Sequence, residues 1–313
     1  MSIINIENLK KFFGKLPVLD GINLSVPQGT MLALLGPNGA GKTTTIKILS
    51  TLLKPDGGRA IVNGYDVTCD PRGVRRSIGL TGQYAAIDEF LTGKENLELF
   101  GMLYHMHKKD IKRRIPELLE RFELTNAASR AVRTYSGGMR RKLDLAACII
   151  ASPPVVFLDE PTTGLDPRSR LATWEIIREM MRSQTTILLT TQQLEEADQL
   201  ANNIAVINEG KIIAEGTSDD LKLRVGGRRL EILLKDNKNA VTASQILEIN
   251  NIKFNIENRA VNIPTNGNIS SLTNILALME KNSIQIDTFS LRKPTLDDVF
   301  MYYTGHKTKD FKN

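Results

Sequence analysis

The chain has 313 residues, 41% of them hydrophobic, which is enough for one large domain or two smaller ones with well-formed cores. Its formal net charge is +6, but lysine and arginine are scattered, and the densest basic run, residues 108–114, is interpreted as a solvated helix face. We therefore expect no nucleic acid as a partner. The two cysteines follow no disulfide or metal-binding pattern, which predicts a reducing compartment. Because we find neither an apolar run of bilayer-spanning length nor a signal-peptide core, we expect a cytoplasmic protein that reaches a membrane only through a partner.

Two amphipathic strands open the chain. Residues 3–9 alternate between apolar and polar side chains, and residues 18–26 do the same after a turn at Gly14. Phe13 lies immediately before that glycine. An exposed aromatic ring at this place either stacks on an adenine base or plugs the edge of a sheet, and both interpretations remain open from the residues alone.

The strongest motif follows the next apolar run. Residues 32–35 have the length and composition of a buried strand, and the segment GPNGAGKT after it has the pattern G-x-x-x-x-G-K-[ST] of a phosphate-binding loop. We call this segment the phosphate loop. It consists of Gly36, Pro37, Asn38, Gly39, Ala40, Gly41, Lys42 and Thr43, and Thr44 follows it. From Thr44 the spacing predicts a helix whose apolar face carries Ile46, Leu49, Leu52 and Leu53.

The residue types in the phosphate loop match what a polyphosphate requires. Its glycines allow a tight turn and a close approach of the backbone to a ligand. The backbone N–H groups from Gly39 to Thr44 are predicted to point into one concavity at the positive end of the helix dipole. Lys42 supplies a mobile positive charge for the β- and γ-phosphates, and the Thr43 hydroxyl is suited to ligate Mg²⁺. We therefore predict that the chain binds a nucleoside triphosphate.

After the phosphate loop the sequence predicts more strands. Residues 59–62 with Gly64 indicate a hairpin, and residues 77–81 indicate a strand that ends just before Gln83. The amide oxygen of Gln83 is a candidate metal ligand, although a glutamine at a strand end is more often an ordinary loop residue.

The pattern of residues 92–150 predicts almost continuous helix. Within them lies Tyr135-Ser136-Gly137-Gly138-Met139, which we call the serine-glycine turn. Two glycines after a serine at the start of a helix expose backbone N–H groups, which suits an anion. The ordinary alternative, a serine N-cap with glycines in the turn, is favoured by the residues alone.

Two adjacent carboxylates follow the next buried strand. Residues 155–158 form a continuous apolar run, as in a parallel strand covered on both faces, and the run ends in Asp159 and Glu160. The carboxyl end of such a strand is where α/β sheets bind ligands. We expect Asp159 to hold Mg²⁺ through a water molecule and Glu160 to polarise an attacking water molecule. A tight turn at residues 164–167 precedes a helix, and residues 185–190 predict another buried strand.

These motifs together resemble the nucleotide-binding subunit of ABC transporters over residues 1 to about 220. The matching pieces, in the order of that family, are GPNGAGKT, Gln83, YSGGM, VVFLDEP, GLDP and LLTTQQLEEAD. The resemblance implies a P-loop NTPase core with a helical subdomain at about residues 86–150, within an ATPase domain of residues 1–223. It also implies Mg²⁺ and a homodimer that encloses two ATP molecules, each between the phosphate loop of one subunit and Ser136, Gly137 and Gly138 of the other. Phe13 would stack on adenine, Gln83 would couple Mg²⁺ to a loop that touches the membrane subunit, and Asp166 would lie at the dimer seam.

Two departures from the family pattern affect these expectations. The serine-glycine turn has Tyr135 and Met139 where the family has leucine and glutamine, and we expect little loss because the serine and glycines face the phosphate. Gln192 stands where the family has a histidine that contacts the γ-phosphate. A glutamine amide donates a hydrogen bond but carries no titrating charge, so we expect slower hydrolysis than in a histidine-bearing relative.

The tail predicts a second, smaller α+β domain at residues 228–313, after a hinge at Gly226 and Gly227. The predicted order is strand 229–234, helix 241–249, strands 252–257 and 260–263, helix 271–281 and strand 284–290. This is the β-α-β-β-α-β order of ferredoxin-like folds. Thr295 and Asp298 form a capping-box pattern that predicts a last helix.

This tail, its closing PTLDDVF, the LTGKENLELFG stretch and the glutamine at 192 are similar to the daunorubicin/doxorubicin-resistance group of multidrug export ATPases. That resemblance implies a separate ABC-2 type permease as partner, and therefore a peripheral position on the inner face of the cell membrane. The alternatives are a non-transport ABC ATPase acting on nucleic acid or ribosomes, an importer subunit, and an exporter of another substrate class. A second phosphate loop or a sustained heptad run, typical of the non-transport class, is not found in the sequence.

Overall fold

The computed structural model describes residues 2–83, 85–226, 228–265 and 268–304, and the structural statements below concern these residues. The chain divides into two compact units, the first ending at Ser218 and the second beginning at Asp219. This division falls a few residues before the predicted domain boundary at residues 223–228. That the two units are independent domains stays a prediction. Gly226 has a φ of +155°, and Gly227, the other half of the predicted hinge, lies outside the described residues.

The first unit is built from two sheets and the helices around them. Its strands are β1 (Ser2–Phe13), β2 (Leu16–Pro27), β3 (Met31–Leu35), β4 (Gly57–Val62), β5 (Tyr65–Asp66), β6 (Ile78–Thr81), β7 (Val155–Asp159), β8 (Thr186–Thr191), β9 (Asn203–Asn208) and β10 (Lys211–Gly216). Its helices are α1 (Lys42–Leu49), α2 (Pro71–Ser77), α3 (Gly93–Leu103), α4 (Lys108–Arg121), α5 (Gly137–Cys148), α6 (Pro167–Arg182) and α7 (Leu194–Leu200), and α8 (Ser218–Val225) follows at the division.

The larger sheet has the order β10-β9-β3-β8-β7-β6 and is parallel except for β10. Every residue of β3, β7 and β8 is buried, as expected for parallel strands covered on both faces, and this confirms the strands predicted from their apolar runs. The carboxyl ends of these three neighbouring strands lie side by side, because Leu35 is in register with Thr191, and Asp159 with Thr190. The sheet therefore brings the phosphate loop, the two carboxylates and the residues after β8 to one edge.

The smaller sheet is antiparallel, with the order β2-β1-β4-β5, and it contains the predicted hairpin of β4 and β5. Helix α1 contacts strands of both sheets, β2 and β4 on one side and β7 and β8 on the other. One apolar cluster accordingly contains Ile4 and Leu24 from the smaller sheet, Ile46 from α1 and Phe157 from the larger sheet. This shared core fixes the start of α1, and with it the phosphate loop, against the parallel sheet.

One local prediction in this unit is wrong, and one helix was not predicted. Helix α1 begins at Lys42 and ends at Leu49, so Leu52 and Leu53 do not extend its apolar face, and Leu52 is 67% exposed. The reason is a turn at Thr51, whose φ of +65° is left-handed, after which the N–H groups of both leucines donate to the carbonyl of Lys47. Helix α2 was not predicted at all, although Asp70 caps it by accepting from the N–H of Gly73.

The predicted helical region is present as α3, α4 and α5, with an irregular connection between α4 and α5. The basic run lies in the first half of α4, where most of its side chains are exposed and Arg113 pairs with Asp110. This confirms its interpretation as a solvated helix face.

The second unit has the predicted β-α-β-β-α-β order, followed by a last helix. Its elements are β11 (Arg229–Leu234), α9 (Asn237–Ile249), β12 (Asn255–Glu257), β13 (Ala260–Pro264), α10 (Ile269–Lys281), β14 (Ile286–Arg292) and α11 (Leu296–Thr304). The sheet is antiparallel with the order β12-β13-β11-β14, which is the ferredoxin-like arrangement. Alternate residues of β11, starting at Leu230, enter an apolar core with both intervening helices.

Element ends in this unit differ from the predictions by a few residues. Helix α9 starts earlier than predicted because Asp236 caps it by accepting from the N–H of Asn239. The predicted capping box at α11 is confirmed: the N–H of Thr295 donates to the Asp298 carboxylate, and the N–H of Asp298 donates to the Thr295 hydroxyl. Among the described residues, none of the helices combines the length and the hydropathy that a bilayer span requires.

Candidate active site

The phosphate loop has a conformation that only glycine permits at two positions. At Gly36 an added Cβ would lie 2.2 Å from the carbonyl oxygen of Ile207, so the backbone passes directly against β9. At Gly41 the φ is +110°, and an added Cβ would meet the Leu19 side chain at 2.6 Å. Gly39, at +82°, lies beside open space at the exposed apex. These glycines shape a turn whose backbone amides lead into the first turn of α1, where Gly41 offers no side-chain cap.

Lys42 is buried, and three oxygen atoms surround its ammonium group. Its Nζ donates to the carbonyl oxygens of Gly36 at 2.8 Å and Pro37 at 3.1 Å. It also lies 3.3 Å from Oε1 of Glu160, in an ion pair whose two side chains are only 3% and 9% exposed. The structure therefore brings the lysine of the phosphate loop together with one of the two predicted carboxylates.

The other carboxylate, Asp159, is also buried, and it meets Thr43. Oδ1 of Asp159 accepts a hydrogen bond from the hydroxyl of Thr43 at 3.2 Å and another from the hydroxyl of Thr190 at 2.5 Å. A hydroxyl and a carboxylate oxygen at this separation form the hard oxygen donor set that Mg²⁺ prefers, so these residues fit the predicted metal.

Glu160 is held in an unusual backbone conformation. Its φ is +49°, in the left-handed region that non-glycine residues rarely adopt, and its N–H donates to the carbonyl and the hydroxyl of Thr190. Its Oε2 accepts from the Thr163 hydroxyl at 3.2 Å, while Oε1 faces Lys42. In this conformation the carboxylate lies between Lys42 of the phosphate loop and the Thr163 hydroxyl.

Three other predicted residues do not take part in these contacts. Gln83 lies just after β6 and Gln192 just after β8, and both are exposed. Phe13 is 52% exposed at the end of β1, with the ammonium of Lys11 5.8 Å from its ring centroid. An aromatic ring left in solvent beside a cation is available to stack, which agrees better with the adenine interpretation than with a buried plug.

The serine-glycine turn opens α5, and Ser136 is an ordinary N-cap that accepts from the N–H of Met139 at 3.2 Å. Its two glycines differ sharply. An added Cβ at Gly138 would lie 2.5 Å from the hydroxyl oxygen of Ser169, which in turn donates to Asp166 at 2.6 Å. At Gly137 an added Cβ would have nothing within 4 Å. Packing of the chain therefore accounts for the glycine at 138, and it does not account for the one at 137.

Asp166 caps α6, because its Oδ1 accepts from the N–H groups of Arg168 and Ser169 at 3.0 Å each. The pKa of this exposed carboxyl is lowered, mainly because the Ser169 hydroxyl donates a hydrogen bond to it. Asp166 is therefore a carboxylate in a fixed position next to the start of α5.

A buried pair on α5 was not predicted from the sequence. Arg141 donates from Nε to the carbonyl of Pro161 at 2.7 Å and from Nη1 to the carbonyl of Gly82 at 2.9 Å. Asp144 lies 3.4 Å from the same Nη1 and accepts from the N–H of Ala86 at 2.9 Å. Burial raises the pKa of Asp144 to about 6, against the opposing effects of the Ala86 N–H and Arg141. The one available signal is a charged pair at i and i+3 in a helix that also carries Arg140 and Lys142, and such a pair more often lies in solvent.

Glu196 is a second buried carboxyl that the sequence did not reveal. Its Oε1 accepts from the hydroxyl of Thr162 at 2.7 Å and from the indole N–H of Trp174 at 3.1 Å. Burial raises its pKa, while hydrogen bonds, that of Thr191 first, oppose the shift. Glu196 thus joins α7 and α6 to the segment that follows Glu160.

Both units match families of known proteins. Residues 19–163 match the family model described as ABC transporter. Residues 216–304 match the model described as ATP-binding protein DrrA1-3-like, C-terminal domain. The second match covers most of the unit that begins at Asp219, so the similarity is not limited to the phosphate loop and its sheet.

Two curated relatives span almost the whole chain. The daunorubicin resistance ATP-binding protein DrrA2 of Streptomyces coeruleorubidus is 48% identical over 311 residues, which cover 98% of this chain and 96% of that protein. The doxorubicin resistance ATP-binding protein DrrA of Mycobacterium tuberculosis (strain ATCC 25618 / H37Rv) is 44% identical over 316 residues, 99% of this chain and 95% of that protein. A solved structure of the ATP binding subunit of an ABC transporter is 32% identical, with a TM-score of 0.65 over 71% of this chain and 93% of that one. The chain therefore belongs to the ABC transporter ATP-binding proteins, in the daunorubicin/doxorubicin-resistance group, and is an ABC-type ATPase.

Proposed function

We propose that this chain is the ATP-hydrolysing subunit of an exporter that moves a drug or another hydrophobic compound through a separate ABC-2 type permease. The observation that carries the proposal is that the similarity to drug-resistance ATP-binding proteins includes both units, at 48% identity over 98% of the chain. The C-terminal unit is shared with that group and adds no second phosphate loop to the sequence. We therefore assign the chain to transport rather than to the non-transport ABC ATPases.

The buried Lys42–Glu160 pair supports a role for both residues in hydrolysis. In the structure the ammonium of Lys42 neutralises the carboxylate of Glu160. A triphosphate held by the amides of residues 39–44 would compete for that ammonium with several negative charges. Lys42 would then turn to the phosphates, and Glu160, released from its ion pair, would be free to orient a water molecule and accept its proton. Substrate binding would in this way activate its own general base.

Three residues of this chain would hold the metal ion. Thr43 would offer its hydroxyl, Asp159 its carboxylate and Gln83 its amide oxygen, and the contact between Thr43 and Asp159 supports the first two. Mg²⁺ bound there would neutralise charge on the β- and γ-phosphates. Gln192, exposed after β8, would donate a hydrogen bond from its amide to the γ-phosphate.

A homodimer explains the glycine at 137. An added Cβ would meet nothing within 4 Å in this chain, so packing within the chain does not require a small residue there. A partner's triphosphate that approaches the amides at the start of α5 would impose that need, since the amides and the helix dipole favour an anion there. Ser136, Gly137 and Gly138 would thus complete the partner's site, with Asp166 at the seam and Phe13 stacked on adenine.

The assembly would place this chain on the inner face of the cell membrane, bound to the permease. The test is to co-express the chain with an ABC-2 permease encoded next to it and to measure efflux of daunorubicin and of other hydrophobic compounds. We expect ATP-dependent efflux with the wild-type chain and none with Glu160→Gln. Co-purification with nucleic acid or ribosomes, without any permease-dependent efflux, would contradict the proposal.

A further inference from the structure

The side chain of Arg141 joins two segments that are far apart in sequence. Its Nε binds the carbonyl of Pro161, and its Nη1 binds the carbonyl of Gly82. The residue is 7% exposed; its contact with Pro161 is buried, and its contact with Gly82 is partly buried. An arginine fork can hold two carbonyls at once, whereas the single ammonium of a lysine cannot reproduce this geometry.

Each of these segments carries a residue of the candidate site. Pro161 directly follows Glu160, and Gly82 directly precedes Gln83. Asp144, on the same helix, adds a third contact to the Gly82 side by accepting from the N–H of Ala86 at 2.9 Å. Arg141 and Asp144 therefore fix the backbone on one side of the general base and on both sides of the exposed glutamine.

The helix that bears this pair starts at the serine-glycine turn. Arg141 lies five positions after Ser136, about 7.5 Å along the axis at the usual helical rise. A contact at the N-terminus of α5 that tilted the helix as a stiff element would shift the guanidinium of Arg141 and the two carbonyls that it binds.

Stability alone does not explain the pair. Burying two charges costs more than burying apolar side chains of similar volume, and such pairs are often replaceable without loss of stability. Beside the partly buried Arg140 and Lys142, this part of α5 carries Leu143, Leu145 and Ala146, which are fully buried. A charged pair retained among them points to a role that apolar residues cannot fill.

We propose that Arg141, held by Asp144, is a positioning residue that places Glu160 and Gln83 in response to contacts at Ser136, an inference that rests on the roles proposed above for these residues. Arg141 does not touch the nucleotide in this account. It acts through the backbone of Pro161 and Gly82, so its removal lowers the rate of hydrolysis and leaves the binding of ATP largely intact.

The test uses the full chain and four variants. Arg141→Lys keeps a charge beside Asp144 but loses the fork. The double variant Arg141→Met with Asp144→Leu removes both buried charges together and so avoids leaving one unpaired. Lys142→Met is the matched control, because it removes a cation from the next position, where Lys142 forms an ion pair with the exposed Glu123. Glu160→Gln reports separately on the assigned general base.

Two measurements are made on each folded variant: steady-state ATPase kinetics, and hydrogen exchange of the peptide that contains Gly82 and Ala86. For the double variant we expect kcat to fall on the order of 10- to 100-fold with KM for ATP within about twofold, because misplacement by about 1 Å has effects of this size. The kcat of Arg141→Lys should lie between that of the double variant and that of the wild type. Exchange of the Ala86 amide should rise in the double variant and stay unchanged in Lys142→Met.

A folded double variant with wild-type kcat overturns the inference. A double variant whose KM for ATP rises by as large a factor as its kcat falls also overturns it. If Arg141→Lys fails to fold, the double variant still decides the question. If Glu160→Gln hydrolyses ATP at the wild-type rate, the proposed general base is wrong, and that outcome is separate from a failure of Arg141 alone.

Discussion

The two units differ in where they place paired charged side chains. At the carboxyl edge of the parallel sheet, ion pairs are buried: the side chains of Lys42 and Glu160 are 3% and 9% exposed. In the C-terminal unit the core is apolar, and an ion pair such as Arg292 with Glu231 lies at the surface, with the arginine side chain 63% exposed. Isolated buried charges are costly, so a buried pair needs a compensating role, and at this edge the candidate role is the chemistry of the phosphate loop. The comparison therefore assigns chemistry to the first unit and packing or recognition to the second.

The largest effect is expected from removing the buried carboxylate at 160. Glu160→Gln should lower ATP hydrolysis on the order of 10²- to 10⁴-fold, because a general base contributes about this much. ATP should still bind, so the variant should accumulate as an ATP-bound dimer on size-exclusion chromatography. Glu175→Gln, which changes an exposed carboxylate on α6, is the matched control and should keep full activity. Unchanged turnover in Glu160→Gln would refute the assigned base.

The buried carboxyl of Asp144 should make stability depend on pH. Burial raises its pKa from 3.8 to about 6, so between these values the folded chain retains a proton that the unfolded chain has lost. The free energy of unfolding should therefore fall as pH rises through this window, by about 3 kcal/mol in total for this group.

Denaturant unfolding of the wild type and Asp144→Asn, at pH values from about 3.5 to 7, isolates this contribution as the difference between the two proteins. The surface residue Arg292 is the contrast: Arg292→Met should cost no more than about 1 kcal/mol, because exposed ion pairs contribute little. A difference between wild type and Asp144→Asn that does not vary with pH would show that the carboxyl titrates normally.

The two glycines of the serine-glycine turn should respond differently to alanine. Gly137→Ala should leave thermal stability unchanged but lower hydrolysis on the order of 10- to 100-fold, because the new methyl group would displace a partner's phosphate. Gly138→Ala should lower the free energy of unfolding by about 1–3 kcal/mol, because its Cβ would lie 2.5 Å from the Ser169 hydroxyl oxygen. Calorimetry and ATPase rates measure the two effects. Full activity in Gly137→Ala would remove the argument for close approach by a partner.

The smallest of these effects concerns Gln192. Gln192→His should raise hydrolysis by up to about tenfold, with a new pH dependence near the usual histidine pKa of about 6.5, because imidazole can carry a charge that the amide cannot. Gln193→His is the control at the neighbouring position. No gain in the rate of Gln192→His would count against a phosphate contact at this position.

The elements that the sequence predicted best are those whose signal is local. The apolar runs of β3, β7 and β8 and the phosphate loop follow from composition and spacing over a few residues. The order of the C-terminal elements likewise follows from alternation and from capping residues such as Asp298. Helix ends were less accurate: the end of α1 depends on the left-handed turn at Thr51, which no simple residue preference indicates.

The contacts between distant segments were not predictable. Arg141 and Asp144 have the spacing of a solvated pair, and only the folded chain shows that they are buried against Pro161, Gly82 and Ala86. The Lys42–Glu160 pair is similar, because 118 positions separate the partners and only the parallel sheet brings them together. Sequence motifs identified the groups, whereas their mutual geometry required the fold.

The central claim is that each ATP-binding site is formed by residues of two subunits. Mixing two inactive variants tests this claim directly. Lys42→Ala disables the phosphate loop, and Gly137→Arg disables the serine-glycine turn, where a Cβ has nothing within 4 Å in the chain itself. In a mixed dimer, the intact phosphate loop of one subunit faces the intact turn of the other, so we predict that mixing restores ATP hydrolysis. A mixture that stays as inactive as each variant alone would contradict the account.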